Sequence, residues 1–321
     1  MKTSKLRKKS LIAAVCILLA LAAFISAAIV FLLPLHRLNR ALELLEAGDK
    51  DGAYAGLESI YDCGAISSIK QKKGMELCDR GEYCAAYLLL CKLPGQDCVN
   101  KSEEIKKALL QNAAVGDTVF FGSYEQNGKE KGGTEAIAWR VLKKEENQLF
   151  LISQFALDCM QYNDEMAETT WETCSLRTWL NDSWYNSVFS DAEKKSILLS
   201  DVTADRNPGY NTDPGADTKD RIYLLSTRET QTYFTTDQDR QCFMTSYTLS
   251  RGAYTSKPYT PDGEIVEKNG KPACTWITRT PGDKPQQVSL VFYDGSVEYY
   301  GHEVNDCSFA IRPVMRISVD S

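Results

Sequence analysis

Histidine is almost absent from this chain, with His36 and His302 the only two among 321 residues. A serine or cysteine nucleophile with a histidine base would have to use His302, in the tyrosine-rich run YYGHEV, and a lone histidine on a hairpin is expected to be a surface residue. No CxxC spacing occurs either, which removes the common zinc frameworks. Positive charge is short as well. With the five basic side chains before residue 33 set aside, 32 Lys and Arg face 43 Asp and Glu. Phosphate backbones need a basic face, so nucleic acid is excluded as a partner.

The most informative absence is charge between residues 11 and 33. LIAAVCILLALAAFISAAIVFLL holds none, and the only charges before it are Lys2, Lys5, Arg7, Lys8 and Lys9. As a helix this run reaches roughly 35 Å, enough for a hydrocarbon core of about 30 Å. The sequence therefore predicts a basic cytoplasmic tail over 1–10, a signal anchor over 11–33 and everything after Pro34 outside the cell. Ser26, Ala27 and Ala28 would suit a signal peptidase. A cleavable signal, however, has a shorter apolar core of about 7 to 15 residues.

Cysteine is plentiful, with eleven residues. Cys16 falls in the apolar run. Five (Cys63, Cys78, Cys84, Cys91, Cys98) precede the large domain, and Cys159, Cys174, Cys242, Cys274 and Cys307 lie within it as disulfide candidates in an oxidising compartment. Five per segment cannot all pair locally, so either one bridge joins the segments or some thiols are free.

Residues 36–113 read as helices, with Leu38, Ala41, Leu42, Leu44 and Leu45 at helical spacing. Laying 44–60 on 77–93 aligns Gly48 with Gly81, Ala53 with Ala86, Tyr54 with Tyr87 and Leu57 with Leu90, a shift of 33 residues. The segment resembles tetratricopeptide-like repeats and is expected to be a short stalk, since two hairpins are fewer than a binding array needs.

From 116 to 321 the pattern changes. Short strands are expected in GDTVFFGSYEQ, IAWRVLKKE, QLFLISQFAL, RIYLLS and AIRPVMRISV. Ser175 and Ser190 are expected helix caps, the latter with Glu193 in a capping box. Asp294-Gly295 in VSLVFYDGSVEYYG predicts a type I′ hairpin. The fold class is α+β: an N-terminal transmembrane helix, a short all-α stalk and a C-terminal α+β domain.

Several blocks, GDTVFFGSYEQ, TTWETCSLRTWLND, VTADRNPGYNTDPGADTKDRIYLLS, CTWITRTPG, FYDGSV and AIRPVM, stand in this order. Over about 116–319 the chain resembles the bacterial domain-of-unknown-function family numbered 6273. The closing set Trp276, Arg279, Pro281-Gly282, Asp294-Gly295 and Arg312-Pro313-Val314 also resembles the C-type-lectin-like fold shared with formylglycine-generating enzymes. One departure is that Thr275 and Ile277 flank Trp276 where family members often carry more tryptophans.

The candidate sites follow. In the polar loop 200–220, Asp205, Asn211, Asp213, Asp217 and Asp220, with Asn207, supply hard oxygens for a calcium ion, with a solvated loop as the alternative. The lectin-like resemblance implies calcium in such a loop. Trp276, Tyr293, Tyr299 and Tyr300 suit a ligand-binding face, although Tyr299 and Tyr300 should point to opposite sides of one strand. Arg279 and Arg312 are expected internal fasteners. The resemblance to formylglycine-generating enzymes would make Cys274 and Cys307 an oxidase pair, against which stands a structural disulfide between them. The expected function is a membrane-anchored, extracellular recognition domain for a glycan or protein. Two other readings are a cysteine oxidase and a scaffold recruiting a membrane partner through the repeats.

Overall fold

A computed structural model describes residues 2–60, 63–129, 133–258 and 260–319, with 2–13 as backbone only. The basic side chains of the predicted cytoplasmic tail thus lie outside the described residues. Two compact units emerge, Met1–Ile105 and Lys106–Ser321.

The first unit is helical. Helix α1 (Lys2–Ala27) continues through a π turn (Ala28–Leu32) into α2 (Leu33–Glu46) with helical backbone angles at Ala27, Leu32 and Leu33. Its 14–46 portion is long and apolar enough to cross a membrane. Pro34 accounts for the π turn. In a regular helix its ring presses on the carbonyl one turn back, and the wider turn, closed by the Leu33 N–H to the Ala28 carbonyl, relieves that contact.

Helices α3 (Lys50–Glu58), α4 (Ser67–Asp79), α5 (Tyr83–Leu90) and α6 (Gln96–Asn112) follow. The α2–α3 turn is closed by Gly48 N–H to Leu45 and Asp49 N–H to Leu44. The α4–α5 turn is closed by Gly81 N–H to Cys78 and Glu82 N–H to Leu77, the same pair 33 residues on. Leu38, Ala41, Ala53 and Leu57 are buried in the first hairpin, and Leu77, Ala86 and Leu90 in the second.

The unit boundary falls inside α6, earlier than the break expected after 113. Its last turns belong to the second core, where Leu109 and Leu110 pack and Lys106 meets Glu193 at 2.6 Å.

The second unit begins with an antiparallel meander of β1 (Thr118–Tyr124), β2 (Glu135–Glu145) and β3 (Gln148–Ser153), followed by β4 (Asp158–Cys159). Helices α7 (Ser175–Trp179), α8 (Tyr185–Val188) and α9 (Asp191–Ser196) come next. The capping box of α9 forms as expected between Ser190 and Glu193. The cap of α7, in contrast, is Cys174, whose sulfur accepts the Arg177 N–H. Ser175 instead accepts the Asp164 N–H.

Strands β5 (Ser200–Val202) and β6 (Thr218–Asp220) pair at the base of the acidic loop, and RIYLLS contributes only β7 (Ile222–Tyr223). Then come α10 (Thr227–Tyr233), α11 (Asp237–Arg240), β8 (Cys242–Phe243), α12 (Ser246–Ser250), β9 (Glu267–Lys268) and β10 (Lys271–Cys274). The chain continues with β11 (Trp276–Pro281), β12 (Gln287–Val291), β13 (Val297–Glu303), β14 (Ala310–Ile311) and β15 (Val314–Ser318).

Two five-stranded sheets, β1-β2-β3-β15-β7 and β13-β12-β11-β14-β4, share one apolar core. The chain passes from one sheet to the other four times, and the two direct passages, between β3 and β4 and between β14 and β15, are bonded side by side. Ser153 N–H donates to the Pro313 carbonyl, and Leu157 N–H to that of Ile311. Arg312 sits at the passage, its Nε donating to the Ser153 carbonyl and its guanidinium over the rings of Trp276 and Phe234 at 5.2 and 5.4 Å. This is the α+β class expected, with buried arginine holding the place where the sheets diverge.

The β12–β13 turn differs from the expected type I′. Gly295 N–H bonds the Phe292 carbonyl and Phe292 N–H bonds that of Ser296. Gly295 has φ 87°, while Asp294 is not among the residues with positive φ. A type I′ turn needs positive φ at both central residues. The observed turn is type I, closed by a left-handed glycine, the three-residue hairpin solution.

Candidate functional site

The acidic loop between β5 and β6 carries the expected calcium ligands, and the structure gives them other partners. Asp205 accepts from Ser226 Oγ at 2.6 Å and pairs with Arg279 at 3.3 Å. Asp220 is buried and accepts from Arg177 Nε at 2.7 Å, Trp171 Nε1 at 2.9 Å and Thr218 Oγ1 at 2.6 Å. Asp217 receives the Ala204 N–H across the base of the loop, Asp213 the Gly215 N–H as a turn closure, and Asn211 faces Arg206 at 3.5 Å. Among the described residues no three His, Cys, Asp or Glu side chains gather as a metal set. Of the expected ligands, Asp205 and Asp220 thus have arginine partners, while Asp213 and Asp217 accept backbone N–H groups.

The loop is fastened over the second sheet by Asn207. Its Nδ2 donates to the Pro281 carbonyl at 2.8 Å and the Tyr299 carbonyl at 2.7 Å, while its Oδ1 accepts the Gly209 N–H. Thr212 Oγ1 donates to the Gly282 carbonyl at 2.8 Å. Arg279, 2 % exposed, bonds Glu229, Asp205 and the Thr203 and Leu224 carbonyls. It is the internal fastener its sequence context suggests.

The expected aromatic face divides. Trp276 is 0 % exposed, its Nε1 donating to the Arg240 carbonyl, so it is core and no ligand contact. Tyr293 sits in the hairpin turn, where its carbonyl accepts from Gln241. Tyr299 and Tyr300 do not obey strand alternation. Val288 pairs with His302 and Leu290 with Glu298, so Ser289 alone faces Tyr299, Tyr300 and Gly301 across the ladder. This is a special bulge, three residues against one, with Gly301 at φ 85° and its backbone against Gly282, where a Cβ on either glycine would collide.

The bulge leaves both rings at the surface instead of sending one into the core. Tyr300 is 48 % exposed, and Tyr210 from the acidic loop stands edge-on to it at 6.1 Å and 77°. The half-buried Tyr299 accepts from Gln231 Nε2 at 2.6 Å. Glu298 closes the bulge by accepting the Tyr300 N–H. Two rings at right angles, rimmed by an amide and carboxylates, can stack a flat apolar face and bond its polar edge. Sequence reasoning missed Tyr210 and Gln231. Tyr210 is the one aromatic residue in 200–220, which was the available signal.

The cysteines are free thiols in this structure, and their neighbours differ from expectation. Cys274 and Cys307 are not partners. Cys274 lies directly opposite Cys242 in the β8–β10 ladder, and Cys159 Sγ is 3.0 Å from the Cys307 carbonyl. Both sulfurs of the first pair are buried, and burial would raise Cys242, but the hydrogen bond from Cys274 and the charge of Arg312 bring it down to about 7. Cys174 is pushed up to about 12, mainly by burial. His302 packs edge-on against Phe309 at 5.1 Å.

A family model described as Domain of unknown function (DUF6273) matches residues 146–319, more than half of the chain. The chain belongs to the DUF6273 family. The match begins within the β2–β3 turn, so β1 and β2 lie before the DUF6273 region although they extend its first sheet. The acidic loop, the tyrosine bulge and the five cysteines of the second unit all lie inside it. No curated protein and no solved structure matches the chain.

Proposed function

We propose that this DUF6273 protein is a membrane-anchored recognition protein whose second unit, a lectin-like domain outside the cell, holds a glycan on the tyrosine bulge. One observation carries the reading: the ladder is broken at Tyr299–Gly301 so that Tyr300 stays 48 % exposed beside Tyr210. A bulge that re-aims side chains at a sheet edge is a recurrent device next to functional sites. The acidic sign suits a neutral or cationic ligand. The apolar helix supplies the anchor, the basic flank keeps its start in the cytoplasm, and the tetratricopeptide-like hairpins act as a spacer.

A cysteine oxidase using Cys274 with Cys307 is disfavoured, because each has a different cysteine beside it. Full-length protein in lipid nanodiscs on a glycan array, with parallel peptide spots, tests the reading. Glycan binding abolished by Tyr300→Ala supports it, equal in calcium and in chelator because the loop carboxylates are engaged. Binding confined to peptides would replace the glycan with a protein ligand. Unchanged binding in Tyr300→Ala would remove the bulge as the site.

A further inference from the structure

Four of the five cysteines in the second unit stand in two pairs, and Cys174 stands apart. Cys242 and Cys274 are facing partners of an antiparallel ladder, with Cys274 Sγ 3.6 Å from the Cys242 carbonyl. Cys159 lies on β4 with its sulfur 3.0 Å from the carbonyl of Cys307, the residue three before β14, which pairs with β4. Cys174 is engaged otherwise: its sulfur caps α7 by accepting the Arg177 N–H at 3.4 Å and donates to the Trp171 carbonyl.

We propose that two disulfides, Cys242–Cys274 and Cys159–Cys307, close this domain while Cys174 remains a thiol. The inference rests on the reading that the domain lies outside the cytoplasm, where disulfides persist. Each closure needs an oxidant, here a disulfide-bearing thiol oxidoreductase or oxidised glutathione. The thiolate of one cysteine attacks the oxidant's disulfide and releases one oxidant thiol. The second cysteine's thiolate then displaces the other oxidant sulfur, forming the protein S–S bond, so two protein thiol protons end on two oxidant thiols.

The two bonds differ in access. Cys307 is exposed, whereas Cys159, Cys242 and Cys274 are buried. Cys159–Cys307 is therefore the bond a dissolved reductant reaches in the folded protein, and Cys242–Cys274 closes during folding and stays shielded. The accessible bond also pins the chain leaving β13 to β4, so it holds the strand that carries the tyrosine bulge from its far end.

The test is non-reducing peptide mapping of the full-length protein, purified from cell membranes and, separately, refolded with oxidised glutathione. The expected map holds Cys242 linked to Cys274 and Cys159 linked to Cys307, with Cys174 alkylated only after unfolding. Mild reductant should free Cys159 and Cys307 at least tenfold faster than the buried pair. Cys307→Ser, a change at an exposed position, should free Cys159 and leave Cys242–Cys274 intact. A Cys274–Cys307 link, any bond to Cys174, or five free thiols after refolding overturns the pairing. Correct links after refolding but free thiols in the membrane-purified protein would instead strike the topology, and with it closure in the cell.

Discussion

The acidic loop of 203–217 and the bulge of β13 are both polar, both turn-rich and both packed against the same sheet edge, yet they differ in what is left over. In the loop, Asp205, Asn207 and Thr212 reach partners inside the domain, so their hydrogen-bonding capacity is directed inward. In the bulge the backbone is satisfied by Asn207 and Asp283, and the rings of Tyr299 and Tyr300 remain outside. Residue type alone does not mark a site. The unengaged surface that survives folding does, and here the loop is the support and the bulge the presenting element.

That contrast can be broken by mutation. Arg279→Ala should have the largest effect, about 3 to 5 kcal/mol by chemical denaturation, since it strands Asp205 and Glu229 beside a buried site. Loss below about 1 kcal/mol would mean that the loop is not the support. Alkaline pH acts on the same place. Tyr223, stacked under Arg279, has its hydroxyl raised from 10.0 to about 12, by burial first and then, against Arg316, by Glu229. Because the folded value lies above the unfolded one, its stabilisation is complete below pH 10 and is lost as pH rises towards 12, about 3 kcal/mol at most. A stability curve flat from pH 9 to 11 would contradict this.

Asn207→Ala should cost about 1 to 3 kcal/mol by leaving Ser289 Oγ as the one side-chain donor shared by the Pro281 and Tyr299 carbonyls, and should raise hydrogen exchange at residues 299–301. Tyr300→Ala sharpens the comparison from the other side. Stability should change by less than about 0.5 kcal/mol, as for other surface positions, while ligand affinity falls at least about tenfold. Asp213→Ala, with only a turn hydrogen bond, should move neither quantity by more than about 0.5 kcal/mol, read by the same denaturation and binding assays.

Local grammar carried much of the fold into the sequence. The Ser190–Glu193 box, the glycine turns at Gly48 and Gly81, and the hairpin at Asp294-Gly295 each depend on residues a few positions apart, and each is present. What depended on distant neighbours was not legible. Trp276 looks like any strand aromatic until Arg240 and Arg312 close over it, and Cys274 cannot announce Cys242 as its partner. The bulge lies between these cases. Gly301 within a run of strand formers hints at one, but its width follows from Ser289 on the opposite strand. The partners of Asp205 and Asp220 were not legible for a related reason, since the arginines that bond them lie 74 and 43 residues away.

The position of β15 has a consequence for the order of events during synthesis. Residues 314–318 lie between β3 and β7, not at an edge of their sheet. Until they emerge, β3 has an open flank, β7 has no neighbour, and the meander made some 160 residues earlier must wait with that flank uncovered. Such late, long-range insertion is slow and leaves a growing chain open to mispairing. A nascent chain thus keeps an unfinished sheet until residue 318 emerges, and chaperone demand should drop sharply once that residue clears the exit path.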